Sequence, residues 1–95
     1  MIKREGDRYL VEGAVTLDTV AGLLADGIRS FEGKRPLVDF SAVKAADSSA
    51  LSLMLEWARQ LKRQGRDIAF ANLGNNLTSL THLYGIADLI PIAAE

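Results

Sequence analysis

A chain of 95 residues with 48% hydrophobic and 24% charged residues is long enough for one folding unit, too short for two, and too apolar to stay disordered. With 11 Lys and Arg against 12 Asp and Glu, the net charge of −1 excludes the broad basic face that phosphate-backbone recognition needs, so nucleic acid is not an expected partner. Cysteine is absent, which removes disulfides, thiolate chemistry and Cys-based zinc sites, and no stretch approaches the roughly 20 apolar residues of a membrane-spanning helix, so direct membrane insertion is not expected.

Met1 to Glu5 run directly into strand-like sequence with no room for a signal peptide, which makes cytoplasm the expected compartment. Ile2–Glu5 and Arg8–Glu12 flank the turn pair Gly6-Asp7 and are expected to form a hairpin at a sheet edge. From about Asp18 to Glu32, Val20, Leu23, Leu24, Ile28 and Phe31 recur at helical spacing, with Thr16 or Asp18 as cap and Gly33 as stop. Pro36–Phe40 is too short and apolar for a helix and is expected to be a buried central strand. A second helix is expected from Ser48 or Ser49 to Gln64, stopped by Gly65. Ile68–Ala71 is the next strand, and Asn75–Tyr84 the next helix, capped by Asn75 and stopped by Gly85. The apolar end, Ile86 to Ile92, is expected to pack on the domain or add a last edge. This order gives an α/β fold over residues 1–95: a mixed, mostly parallel sheet with an N-terminal hairpin and helical crossovers.

The second helix carries more apolar surface than one buried stripe requires. Leu51, Met54, Leu55, Ala58 and Leu61 share one face and are expected core. Leu53 and Trp57 stand four apart on a flank; they either pack against a neighbouring helix or form a partner-facing patch, for which Trp is a favoured anchor. A hydroxyl at Ser48 or Ser49 can cap the helix, or serve as an exposed contact or phosphoacceptor, and Asp47 either orients the loop or is a second cap. Lys62, Arg63 and Arg66 complement the dipole at the other end. Catalytic readings lack parts. His82 is the only histidine and suits a surface or packing role; no Gly-x-x-x-x-Gly-Lys loop cradles phosphates; Asp18, Asp26 and Asp39 lie on different elements. The Asn76-Leu77-Thr78 acceptor tripeptide has no secretory route behind it. Neither cofactor nor metal is expected.

The stretch Val38-Asp39-Phe40-Ser41, a short loop, then Asp47-Ser48-Ser49-Ala50-Leu51 resembles the signature of the STAS family, the sulfate-transporter and anti-sigma-factor-antagonist domain. One departure is Ala50, where members usually carry Gly; Ala is the better helix former by about 1 kcal/mol, so only a contact needing very close backbone approach is affected. Gln64-Gly65, Leu83-Tyr84-Gly85-Ile86 and Leu89-Ile90-Pro91 are similar to the STAS subunits of Mla-type phospholipid ABC transporters. The resemblance implies a non-enzymatic interaction module that binds and stabilises a transporter's cytoplasmic ATPase subunit, which would bring it to the inner face of the inner membrane. The alternative is an anti-sigma factor antagonist, bound to a partner kinase and switched when that kinase phosphorylates Ser48. In both, Ser48, Ser49 and Asp47 carry the partner site, with Leu53 and Trp57 on the same docking surface. A nucleotide weakly bound by the fold stays open.

Overall fold

The left-handed backbone of Gly6, at φ +62°, reverses the chain between β1 (Ile2–Glu5) and β2 (Arg8–Val11), which pair antiparallel with Ile2 opposite Val11 and Glu5 opposite Arg8. The computed structural model describes residues 1–93. After β3 (Gly13–Val15) and α1 (Val20–Ser30), the chain returns as β4 (Leu37–Asp39), parallel to β2 with Tyr9 opposite Val38. It continues through β5 (Val43–Ala46), α2 (Ser49–Arg63), β6 (Ala69–Ala71) and α3 (Gly74–Leu83), with a 3₁₀ turn at Ala87–Leu89. The four-stranded sheet has the order β1-β2-β4-β6, so β4 is central as expected, while β3 and β5 pair in a separate two-stranded parallel ribbon. Beyond β6 the last segment adds an edge: Phe70 donates its N–H to Pro91 O (2.8 Å) and accepts one from Ala93 (2.8 Å).

The β3–β5 ribbon was not expected. Gly-Ala-Val and Val-Lys-Ala-Ala have no alternation of large apolar with polar residues, so the periodicity that marks a strand is missing. Helix starts also differ from expectation. Thr19, not Thr16 or Asp18, stands at the head of α1, and its hydroxyl turns back to donate to Ala14 O (2.9 Å) and accept from Thr16 N–H (2.9 Å) instead of capping the helix. Leu73 precedes α3, so Asn75 lies inside the helix and does not cap it. The first helix ends at Ser30 because Phe31 turns extended (ψ 124°), two residues before Gly33. The other two glycine stops hold. Gly65 (φ +72°) and Gly85 (φ +68°) each follow a helix, and the bonds from Arg66 N–H to Leu61 O (2.9 Å) and from Ile86 N–H to Thr81 O (2.9 Å) close the helix ends with paired carbonyls.

The core is a chain of rings linking helices to sheet. Tyr9 meets Phe31 edge-on at 5.1 Å, Phe31 meets Trp57 edge-on at 5.1 Å, and Trp57 stacks over Phe70 at 6.4 Å. Phe70 in turn meets Phe40 at 6.1 Å. Trp57 is fully buried, its indole N–H donating to Leu24 O (3.1 Å), and it lies directly against Gly27 on α1. A β-carbon on Gly27 would fall 2.5 Å from the indole nitrogen, so the close approach of α1 to α2 depends on that glycine. Leu53 is 1% exposed. The expectation that Leu53 and Trp57 form a partner-facing surface is therefore corrected: α1 covers this flank of α2, and both residues belong to the helix–helix seam.

Candidate functional site

The residues of the Asp39–Leu51 stretch fall at the carboxyl ends of the parallel strands, and two aspartates organise them. Asp39, only 4% exposed, ends β4 and receives the Arg8 guanidinium (2.6 Å), the Ser41 N–H (2.8 Å) and the Asn72 amide (3.1 Å). Burial pushes its carboxyl up, but the hydrogen bonds from Ser41, Arg8 and Asn72 outweigh burial and hold it below the usual carboxylate range. It thus ties β2, the β4–β5 loop and the turn after β6 together. Sequence reading gave Asp39 no role beyond the motif.

Asp47 is the second organiser. Its N–H donates to Val15 O (3.2 Å), while its carboxylate accepts Ser49 N–H (2.9 Å), the Ser49 hydroxyl and Leu17 N–H (3.2 Å). Those bonds, led by the Ser49 hydroxyl, hold the Asp47 carboxyl below its ordinary value. Asp47 therefore both caps the first turn of α2 and rivets the loop before α1 onto it. Ser48 occupies the head of α2, where its carbonyl accepts Leu51 N–H (3.1 Å); the residue is exposed, and its hydroxyl makes neither a cap bond nor any other hydrogen bond among the described residues. Of the two serines expected to cap, Ser49 is bonded to Asp47, whereas the Ser48 hydroxyl has no partner among the described residues. Ala50 is fully buried, so the methyl that departs from the usual Gly points into the core and leaves the surface unchanged.

Two neighbours of Ser48 escaped sequence reading. Leu17 is 78% exposed, and its backbone N–H is bonded to Asp47, so the loop that carries this large apolar side chain is tied to the residue before Ser48. Beside it, the N-terminal halves of α1 and α2 form a shallow groove lined by Val20, Ala21, Leu24, Ser52 and Glu56, with Leu53 at its floor. The signal for Leu17 lay in its place between two turn-forming residues rather than in any periodicity. Chemically, the surface offers one spare hydroxyl, an apolar knob and a shallow apolar groove with an acidic rim at Glu56. Among the described residues there is no group of three His, Cys, Asp or Glu able to hold a metal, and every buried side-chain polar atom has a partner. No helix of the described residues is long and apolar enough to cross a membrane. His82 is exposed on α3, away from this surface.

The solved structure of the anti-sigma factor antagonist SpoIIAA in its unphosphorylated form is similar over 100% of this chain and 88% of its own, with a TM-score of 0.71 at 16% identity. That likeness shows the fold. No curated protein matches the chain. The profile of the family described as "Mlab, STAS domain" matches residues 3–91, nearly the whole chain, and so takes in both aspartates, Leu17 and the Ser48 turn. With a family match over nearly the whole chain and the same fold in the solved relative, the chain belongs to the MlaB-type STAS domain family.

Proposed function

We propose that this chain is a non-catalytic regulatory subunit that docks, through Ser48, Leu17 and the groove between α1 and α2, on the cytoplasmic ATPase subunit of an Mla-type phospholipid ABC transporter. The observation that carries this reading is an exposed Ser48 whose hydroxyl is unbonded among the described residues, together with a Leu17 that is 78% exposed on a loop held by the adjacent Asp47. A hydroxyl with no bond inside the fold is available to a partner, and an apolar knob that burial within the fold does not explain gains by being covered. The description of the matched family supports the transporter assignment.

The test uses the purified chain and the transporter ATPase, with thermal melting and binding measured for each variant. Ser48→Ala is expected to melt with the wild type, because a surface change without a lost bond shifts stability by no more than about 0.5 kcal/mol. Ser48→Glu, which brings a charge into a desolvated contact, and Leu17→Asp are expected to weaken binding by at least about 2 kcal/mol, or roughly thirtyfold. Acidic variants that bind the ATPase like wild type would refute the docking surface.

A second reading, a switch phosphorylated on Ser48 by a partner kinase, is favoured by the same free hydroxyl at a helix start, where a phosphate would gain from the dipole. The solved structure with this fold is that of an anti-sigma factor antagonist in its unphosphorylated form. Binding to a partner kinase, phosphate incorporated at Ser48, and no affinity for the ATPase would favour the switch over the transporter subunit.

A further inference from the structure

At the opposite end of α2 from Ser48, the molecule carries a cleft that the docking surface does not use. It has a volume of about 540 Å³ and lies between the C-terminal half of α2, the turn before β4 and the segment around Leu89 and Pro91. Its apolar wall comprises Leu55, Ala58, Leu89 and Pro91, of which Leu89 is 62% exposed. Four cations, Arg35, Arg59, Lys62 and Arg66, line it against one acid, Asp67, in a chain whose net charge is −1.

Dipole complementation explains Lys62 and Arg63 in the last turn of α2, but not the rest of this cluster. Arg66 lies past the helix and is fixed, among the described residues, by neutral acceptors: Gly33 O (2.8 Å), Phe31 O (2.8 Å) and the Gln64 amide oxygen (2.8 Å). Its charge is thus held in place without an ion pair among the described residues. Lys62 and Arg35 form neither an ion pair nor a side-chain hydrogen bond among the described residues. Arg59 alone is paired, with Glu56 one turn earlier on an exposed face, an arrangement of small strength that a partner carboxylate can replace.

We propose that this cleft is a second docking site, and that its occupant is an acidic, leucine-rich segment of a partner protein. The charge pattern selects anionic groups for the rim, and the Leu55–Leu89 wall selects apolar side chains between them. A concave trough with an apolar wall fits a chain segment better than a flat lipid surface, and a bare phosphate would leave the wall uncovered. The site is independent of the Ser48 surface, so the domain can hold two protein segments at once, one at each end of α2.

A displayed library of random peptides is selected on the wild-type chain, and enriched sequences are synthesised and measured by fluorescence anisotropy and by NMR shift mapping. Peptides rich in Asp and Glu interspersed with Leu, Ile or Val are expected, shifting Leu55, Ala58, Lys62, Arg66 and Leu89. Arg35→Glu/Lys62→Glu is expected to weaken their binding at least about tenfold, and Leu89→Ser several-fold, while the charge-matched control Lys3→Glu/Lys44→Glu leaves it unchanged. Enrichment of basic or neutral peptides, equal loss in the control variant, or shifts confined to the Ser48 end would each overturn the proposal. So would phosphatidylglycerol vesicles that bind through Arg35 and Lys62 more tightly than any peptide, which would make the occupant a membrane.

Discussion

Two glycines on α1 provide the sharpest test of the packing argument, because the same substitution is expected to act in opposite directions five residues apart. Gly22 has open space around the position of an added β-carbon, whereas at Gly27 that carbon would lie 2.5, 2.6 and 2.7 Å from indole atoms of Trp57. Ordinary carbon contacts sit near 3.5–4.0 Å, so the overlap is about 1 Å. The indole has nowhere to go. Phe31 meets it at 5.1 Å, Phe70 stacks under it at 6.4 Å, and its N–H is bonded to Leu24 O at 3.1 Å on the same helix as the glycine. An alanine at 27 must therefore lift α1 from α2. Overpacking of this kind costs about 1–3 kcal/mol or more, against a gain of about 1 kcal/mol for replacing glycine inside a helix. Gly22→Ala is expected to raise stability by up to about 1 kcal/mol, and Gly27→Ala to lower it by about 1–2 kcal/mol net. At roughly 4–8 °C per kcal/mol for a domain of this size, the two melting temperatures should bracket the wild type and, for a combined difference of about 2–3 kcal/mol, stand roughly 8–24 °C apart. Thermal unfolding followed by circular dichroism reads this directly. Equal stabilisation by both substitutions would mean that α1 slides freely over Trp57, and the locked seam would be wrong.

Trp57→Ala is expected to cost about 3–5 kcal/mol and to leave the domain marginal or unfolded by urea titration; a fully folded variant that loses only partner binding would restore the surface role for Trp57. Asp39→Asn removes a carboxylate that takes three hydrogen bonds and is expected to cost about 2 kcal/mol at neutral pH. Because the folded carboxyl titrates below its unfolded value near 3.9, its stabilisation is complete above that pH and disappears as pH falls through the lower folded value. Wild type should lose stability below about pH 4 more steeply than Asp39→Asn, and parallel acid-unfolding curves would show that Asp39 does not contribute.

Most of the architecture was legible because it rests on local signals. Gly65 and Gly85 mark helix ends that need a left-handed residue, and the apolar run before Asp39 is too short for anything but a strand. What stayed hidden depends on partners distant in sequence. The β3–β5 ribbon joins segments about 30 residues apart and has no periodicity of its own. The Leu53–Trp57 flank looked spare because nothing local announces that Gly27 on another helix will receive the indole. A buried Trp and an interface Trp share the same spacing on a helix, and only the missing side chain at Gly27 decides between them.

The same limit explains why the motif was found while its division of labour was not. Asp47, Ser48 and Ser49 all have cap chemistry, so sequence cannot say which one closes the helix. Long-range geometry assigns the work: Asp47 reaches both Ser49 N–H and, across 30 residues of chain, Leu17 N–H, which leaves the Ser48 hydroxyl without a hydrogen bond among the described residues. That separation has a functional consequence. A hydroxyl needed as a cap could not be buried in an interface or modified without loosening α2, whereas a hydroxyl relieved of that duty can be covered or charged with little effect on the fold. Because Asp47 orders the Leu17 loop before any partner arrives, less conformational freedom is lost on docking, and more of the contact energy appears as affinity. In the proposed docking mode, the Asp47 carboxylate thus keeps the Ser48 hydroxyl available to a partner.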